Sequence, residues 1–206
     1  MPSILDIGLG KVGSNSHPIH PATVHLPIAF LLVGSGLDML AYISMCSPLT
    51  VNALSSVFGV FFDAATPAAI IYHLSLFGYV STFAGAATAV PAITTGLVEG
   101  YAMVAAKGLD LSNPVVKTTV IHAGLNDVAV LGALYNLVSR WGHTAFAPRG
   151  GNVVVSGVIL GGVAYAAFLG GGLVYTHGVG VQRMGKGKEE KEQGEAAEKR
   201  KERKEL

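Results

Sequence analysis

The chain has 206 residues, half of them apolar and only 13% charged, with 27 glycines and a mean hydropathy of +0.50. Soluble domains carry about a quarter charged residues; here nine of the 14 Lys/Arg and seven of the 13 Asp/Glu lie from Arg183 onward, leaving 11 charges for the first 182 residues. So few ionisable groups cannot cover a water-facing surface, and the body of the chain is expected to be a membrane domain whose first partner is the lipid bilayer. A net charge of +1, with the dense basic residues alternating with glutamates, excludes a nucleic-acid-binding face. The single cysteine, Cys46, excludes a disulfide framework and a thiolate zinc site.

In chain order, residues 1–20 read as an N-terminal cytoplasmic segment. Gly8, Gly10 and Gly13 match the dinucleotide pattern GxGxxG, but SNSHPIHP follows, with two prolines where the phosphate-binding helix should begin, so the match is rejected. The first 15 residues have no apolar signal core, and the first span is expected to act as an uncleaved anchor. A spanning helix needs about 20 predominantly apolar residues, and four stretches qualify: about 22–45, 71–98, 118–139 and 153–176. They form an expected transmembrane domain over 21–182. The third is preceded by Ser112, Asn113 and Pro114, a cap-then-proline signal for a helix that starts before it enters lipid. A shorter apolar run, 49–62, reads as an interfacial or re-entrant piece. The tail 183–206, rich in Lys, Glu and Gly, is expected to be disordered or a solvated helix. The expected fold class is thus all-α: an integral membrane four-helix bundle with short loops and a charged tail.

Four spans put both termini and the 99–117 loop on one side, with twelve of the 14 Lys/Arg; the opposite loops hold only Arg140 and Arg149. By the positive-inside rule both termini are expected to be cytoplasmic in a multi-pass protein. Small residues recur four apart on the second helix (Ser81, Gly85, Ala89, then Ala92 and Gly96) and on the fourth (Gly157 and Gly161; Gly162, Ala166 and Gly170), a pattern that lets backbones approach in lipid.

The same topology gathers His17, His20, His25, His122 and His177 at one membrane face with Glu99, leaving His73 and His143 on the other. Imidazoles on facing helices of a bundle hold haem iron, zinc or copper; interfacial histidines also hydrogen-bond helix ends and headgroups. His20, His25, His122 and His177 are the candidate cofactor ligands, with Asn126 orienting one of them; for a metal, the candidate set is His25, His122 and His177. The cofactor of such a site would be haem b or a transition metal.

On the third helix His122, Asn126, Ala129, Ala133 and Asn136 recur at intervals of three or four and form one polar, small stripe. Asp127 lies beside them near mid-bilayer and is expected to be buried among protein partners, because ionisable groups at that depth face a bundle interior. Asp38, near the far end of the first helix, is expected to be interfacial and structural.

The runs HPIHPATVHLPIAFLLVGSGLDML, HAGLN and GGLVYTHGVGV resemble the predicted membrane proteins grouped as domain of unknown function 2231, over residues 17–181. The resemblance implies four transmembrane helices and no established activity. It carries motif positions onto His17, His20, His25, Asp38, His122, Asn126, Tyr175 and the closing segment from Gly178 to Val181. Family members often carry glutamate and arginine in GGELVYRHGVGV, where this chain has Gly172 and Thr176, so a ligand or proton-carrying role for that glutamate is absent here. The bundle is also similar to small b-type membrane cytochromes, a likeness of fold that assigns no function.

Two readings follow. One is a haem- or metal-binding redox protein with a redox partner, using His25 with His122 or His177. The other is a non-enzymatic membrane module or transporter-like subunit, with a homo-oligomer as the expected partner form, using the third-helix stripe for packing or for a small polar solute. No activated serine or cysteine nucleophile is present, and no catalytic residue is assigned.

Overall fold

The computed structural model describes residues 3–11, 17–63, 65–181 and position 193; the charged tail, apart from that position, lies outside the described residues. Among these the regular structure is entirely helical: α1 (Ile4–Gly8), α2 (His20–Thr23), α3 (His25–Cys46), α4 (Pro48–Gly59), α5 (Pro67–Lys107), α6 (Pro114–Arg140) and α7 (Gly150–Tyr175), with a 3-10 turn at Thr144–Phe146. Four helical stretches are long and apolar enough to cross a membrane: His20–Cys46, Pro67–Lys107, Pro114–Arg140 and Thr144–Tyr175.

Local chemistry sets the ends. Ser3 and Asp6 form a reciprocal capping box on α1. Ser47 accepts from the Thr50 amide with Pro48 in the first turn of α4. The Asn113 side chain accepts from the Val115 amide at 3.0 Å, so α6 starts at Pro114, four residues before its expected lipid entry. The apolar run 49–62 is mostly the short helix α4. Helix α5, 41 residues long with Pro91 inside it, exceeds its expected bounds at both ends.

The chain falls into two compact units, Met1–Thr23, Pro91–Val120 and Phe168–Leu206 in one, Val24–Val90 and Ile121–Ala167 in the other. The first has a core of Met103, Val115, Val116 and Leu173, with Val104 and Val179 packed on it. The second has two cores: Leu31, Ala129, Ala133, Ile159 and Val163, and Ala41, Val51, Ile70 and Leu74. The small-residue ridge of α5 serves close approach: a Cβ on Gly85 would come 2.7 Å from Leu31 Cδ2, and Ala89 is buried. On α7 the ridge behaves differently. Ala166 is buried, but a Cβ on Gly157, Gly161 or Gly162 would meet nothing within 4 Å, so those glycines make no close contacts among the described residues.

Candidate functional site: a buried ion pair

An α-helix turns about 100° per residue, which puts His122, Asn126, Ala129, Ala133 and Asn136 on one side of α6. Ala129, Ala133 and Asn136 are buried, so the stripe faces the interior. Four residues beyond Asn136 the same side reaches Arg140, which is 0% exposed. Arg140 is therefore not the flanking loop charge that its position at the helix end suggests. Its partner is Asp38 of α3, also 0% exposed, so the expectation of an interfacial Asp38 is corrected as well.

The pair is closely made. Arg140 Nη1 donates to both Asp38 carboxylate oxygens at 2.7 Å, Nη2 donates to the Ser75 carbonyl at 3.2 Å, and Nε donates to the Phe146 carbonyl at 2.7 Å. Ser156 Oγ donates to Asp38 Oδ2 at 3.0 Å. Behind it, Asn136 Nδ2 donates to Ser156 Oγ at 2.9 Å, and Asn152 Nδ2 donates to Asn136 Oδ1 at 3.1 Å and to Ser139 Oγ at 2.7 Å. Tyr79 closes the site from α5. Its hydroxyl donates to the Leu137 carbonyl at 3.2 Å, its ring centre lies 5.4 Å from Arg140 Cζ, and Phe146 stacks on it at 4.1 Å. One guanidinium thus joins side chains or carbonyls of α3, α5 and the 3-10 turn to α6, while α7 holds the carboxylate. A buried charge survives in such surroundings only when paired and hydrogen-bonded. Gly78 is required beside it, because a Cβ there would come 2.5 Å from Asp38 Oδ1.

The turn that offers the Phe146 carbonyl is strained. Ala145 and Phe146 have φ of 53° and 52°, the left-handed region that costs a non-glycine residue about 1–2 kcal/mol. The Arg140 hydrogen bond and the Tyr79 stack offset that cost.

Asp127 is exposed, contrary to its expected burial. Five residues along from His122 it stands about 140° around the helix from the centre of the inward stripe, so adjacency in sequence puts it on the opposite face.

In the second unit, His122 Nδ1 lies 2.8 Å from the Ala166 carbonyl; a carbonyl only accepts, so Nδ1 carries the proton. Asn126 Nδ2 donates to the His122 carbonyl at 2.8 Å and lies 3.4 Å from His122 Nε2. His25, the first residue of α3, is exposed.

The first unit gathers another polar group. His20 Nδ1 lies 3.1 Å from the Ala92 carbonyl and 3.2 Å from Thr95 Oγ1, and Thr23 Oγ1 is 3.0 Å from Thr95 Oγ1. The ring lies so close to α5 that a Cβ on Gly96 would come 2.8 Å from His20 Cε1. Gly180, at φ +83°, lies where a Cβ would be 3.4 Å from Pro18 Cβ and 3.7 Å from Glu99 Oε1. Glu99 is buried, and the HPIHP opening, Glu99 and the GVGV closing are neighbours in this unit. His177 is exposed. Among the described residues no group of three or more His, Cys, Asp or Glu is placed to hold a metal ion, and the expected metal set of His25, His122 and His177 finds no support there.

No curated protein and no solved structure matches the chain. The family model described as "Predicted membrane protein (DUF2231)" matches residues 16–183, a stretch that contains the ion pair, its hydrogen-bonding partners and both histidine environments. The chain therefore belongs to this family of predicted membrane proteins.

Proposed function

We propose that the protein is a non-enzymatic membrane module, of the kind that serves as a transporter-like subunit, whose third-helix polar stripe is a packing device ending in the Asp38–Arg140 pair. One observation carries this reading: the polar side chains of the stripe are engaged by neighbouring protein groups, Arg140 by four hydrogen bonds to three other segments. A solute site would keep such groups turned toward a ligand. The orientation that fits the charge distribution has both termini and the loop around Lys107 in the cytoplasm.

The redox reading has one observation in its favour. The His20 and His122 rings both present Nδ1 to main-chain carbonyls, the tautomer that leaves Nε2 as the ligand atom. Against it, the Asn126 amide lies 3.4 Å from His122 Nε2. A visible absorption spectrum with metal analysis, on protein purified from haem-supplemented cells, decides between the readings. The module reading expects neither a Soret band nor stoichiometric metal. A Soret band that sharpens on reduction and is lost in His25→Ala or His122→Ala, but kept in His143→Ala, would overturn it in favour of bound haem b.

A further inference from the structure

Asp127 is the central residue of the span Pro114–Arg140, is exposed, and has no hydrogen bond or ion pair among the described residues. Its surroundings on the outer face of α6 are apolar: Leu131, Leu134 and Val138 are all exposed. Lipid offers a carboxyl group at that depth neither a donor nor an acceptor, so the structure leaves this group incomplete.

The face that carries it is patterned. Gly124, Asp127, Leu131, Leu134 and Val138 are all exposed and follow one another at alternating intervals of three and four, the spacing of a helix-pairing seam. A Cβ on Gly124 would meet nothing within 4 Å, so one turn from the acid the backbone is open to approach by another helix. A single polar residue in an otherwise apolar seam fixes register and oligomeric state.

We propose that this face binds a second copy of the chain, with Asp127 hydrogen-bonded to Asp127 of the partner subunit. Two chemical facts select a second copy over another protein. Copies inserted in the same direction are related by an axis along the membrane normal, so a residue near that axis meets its own counterpart at the same depth. A carboxyl group is also self-complementary: with a proton between them, two carboxyls supply both the donor and the acceptor that lipid lacks.

The test uses the full chain in lipid bilayers, in a Cys46→Ser background. Oxidative cross-linking of Leu131→Cys and Leu134→Cys should give a disulfide-linked dimer, whereas Val158→Cys, exposed on α7, should give none. Single-molecule photobleaching over a lipid dilution series should show a dimer weakened about tenfold by Asp127→Ala and much less by Asp127→Asn, whose amide also donates and accepts. Because Asp127 is exposed, both variants should remain monodisperse. A monomeric wild type, cross-linking through Val158→Cys instead of α6, or a dimer indifferent to Asp127→Ala would each overturn the proposal. So would a purified monomer whose Leu131→Cys form cross-links only to a different protein in native membranes.

Discussion

Replacing Arg140 with Met removes both 2.7 Å bonds to Asp38 and the bonds to the Ser75 and Phe146 carbonyls. Among the described residues Asp38 then keeps only the Ser156 hydroxyl. Breaking one side of a buried ion pair costs about 3–5 kcal/mol, because the surviving charge stays buried without its partner. Asp38→Asn is nearly isosteric, avoids a clash with the helix at Gly78, and leaves Arg140 its two carbonyl acceptors, so a cost at the lower end of that range, about 3 kcal/mol, is expected. In the double variant no unpaired charge remains, and its cost should fall short of the sum by about 2 kcal/mol or more, within the range for residues in direct contact. Against a total stability of about 5–15 kcal/mol each single variant remains measurable by steric-trap unfolding in bicelles. Additivity within about 0.5 kcal/mol, or single effects under about 1 kcal/mol, would refute the account of Asp38 and Arg140 as a dry, mutually dependent pair.

The same assay should rank Asp38→Asn well above Asp127→Leu in damage to the unfolding free energy of a single chain, since Asp127 has no partner among the described residues. Gly78→Ala should destabilise by more than about 1 kcal/mol through overpacking against Asp38, whereas Gly161→Ala, with open space around it, should be neutral or stabilise by up to about 1 kcal/mol from helix propensity. In the strained turn, Ala145→Gly should be tolerated and Ala145→Val should cost at least about 1 kcal/mol, because a β-branched residue fits φ of 53° worse than alanine. At the N-terminus, the Ser3 hydroxyl and then its backbone amide hold the Asp6 carboxyl below its ordinary pKa. That support for the capping box is present above the ordinary carboxylate value and is lost as pH falls through the lowered one, so Ser3→Ala should move the Asp6 Cγ titration upward in carbon NMR.

Much of the architecture is legible in the sequence, because bilayer thickness and the cost of charge in lipid leave few alternatives to four apolar helices. The inward stripe on α6 is legible too, as a 3.6-residue period running from His122 to Asn136. Its next member by the same period is Arg140. Placed beside Trp141 and Gly142, Arg140 reads as a loop charge, and a count of Lys/Arg by loop conceals that spans one and three run in the same direction and bring Asp38 and Arg140 toward the same end. Asp127 misleads in the opposite way: one residue from Asn126 along the chain is 100° around the helix, enough to exchange interior for exterior. The left-handed Ala145 and Phe146 carry no sequence signal, since neither is the glycine that such a turn favours. The length of α5 escapes a hydropathy reading because lipid limits only the part of a helix it surrounds.

The central claim, a direct guanidinium–carboxylate contact within the membrane domain, can be observed by rotational-echo double-resonance NMR. The sample would be the full chain in bilayers with carbon-13 at the Asp carboxyls and nitrogen-15 in the Arg guanidinium groups. With both carboxylate oxygens 2.7 Å from Nη1, one Asp signal should dephase strongly and disappear in Asp38→Asn. If no Asp carboxyl dephases in contact with a guanidinium, or if the dephasing signal survives Asp38→Asn, the pair at the centre of this account does not exist.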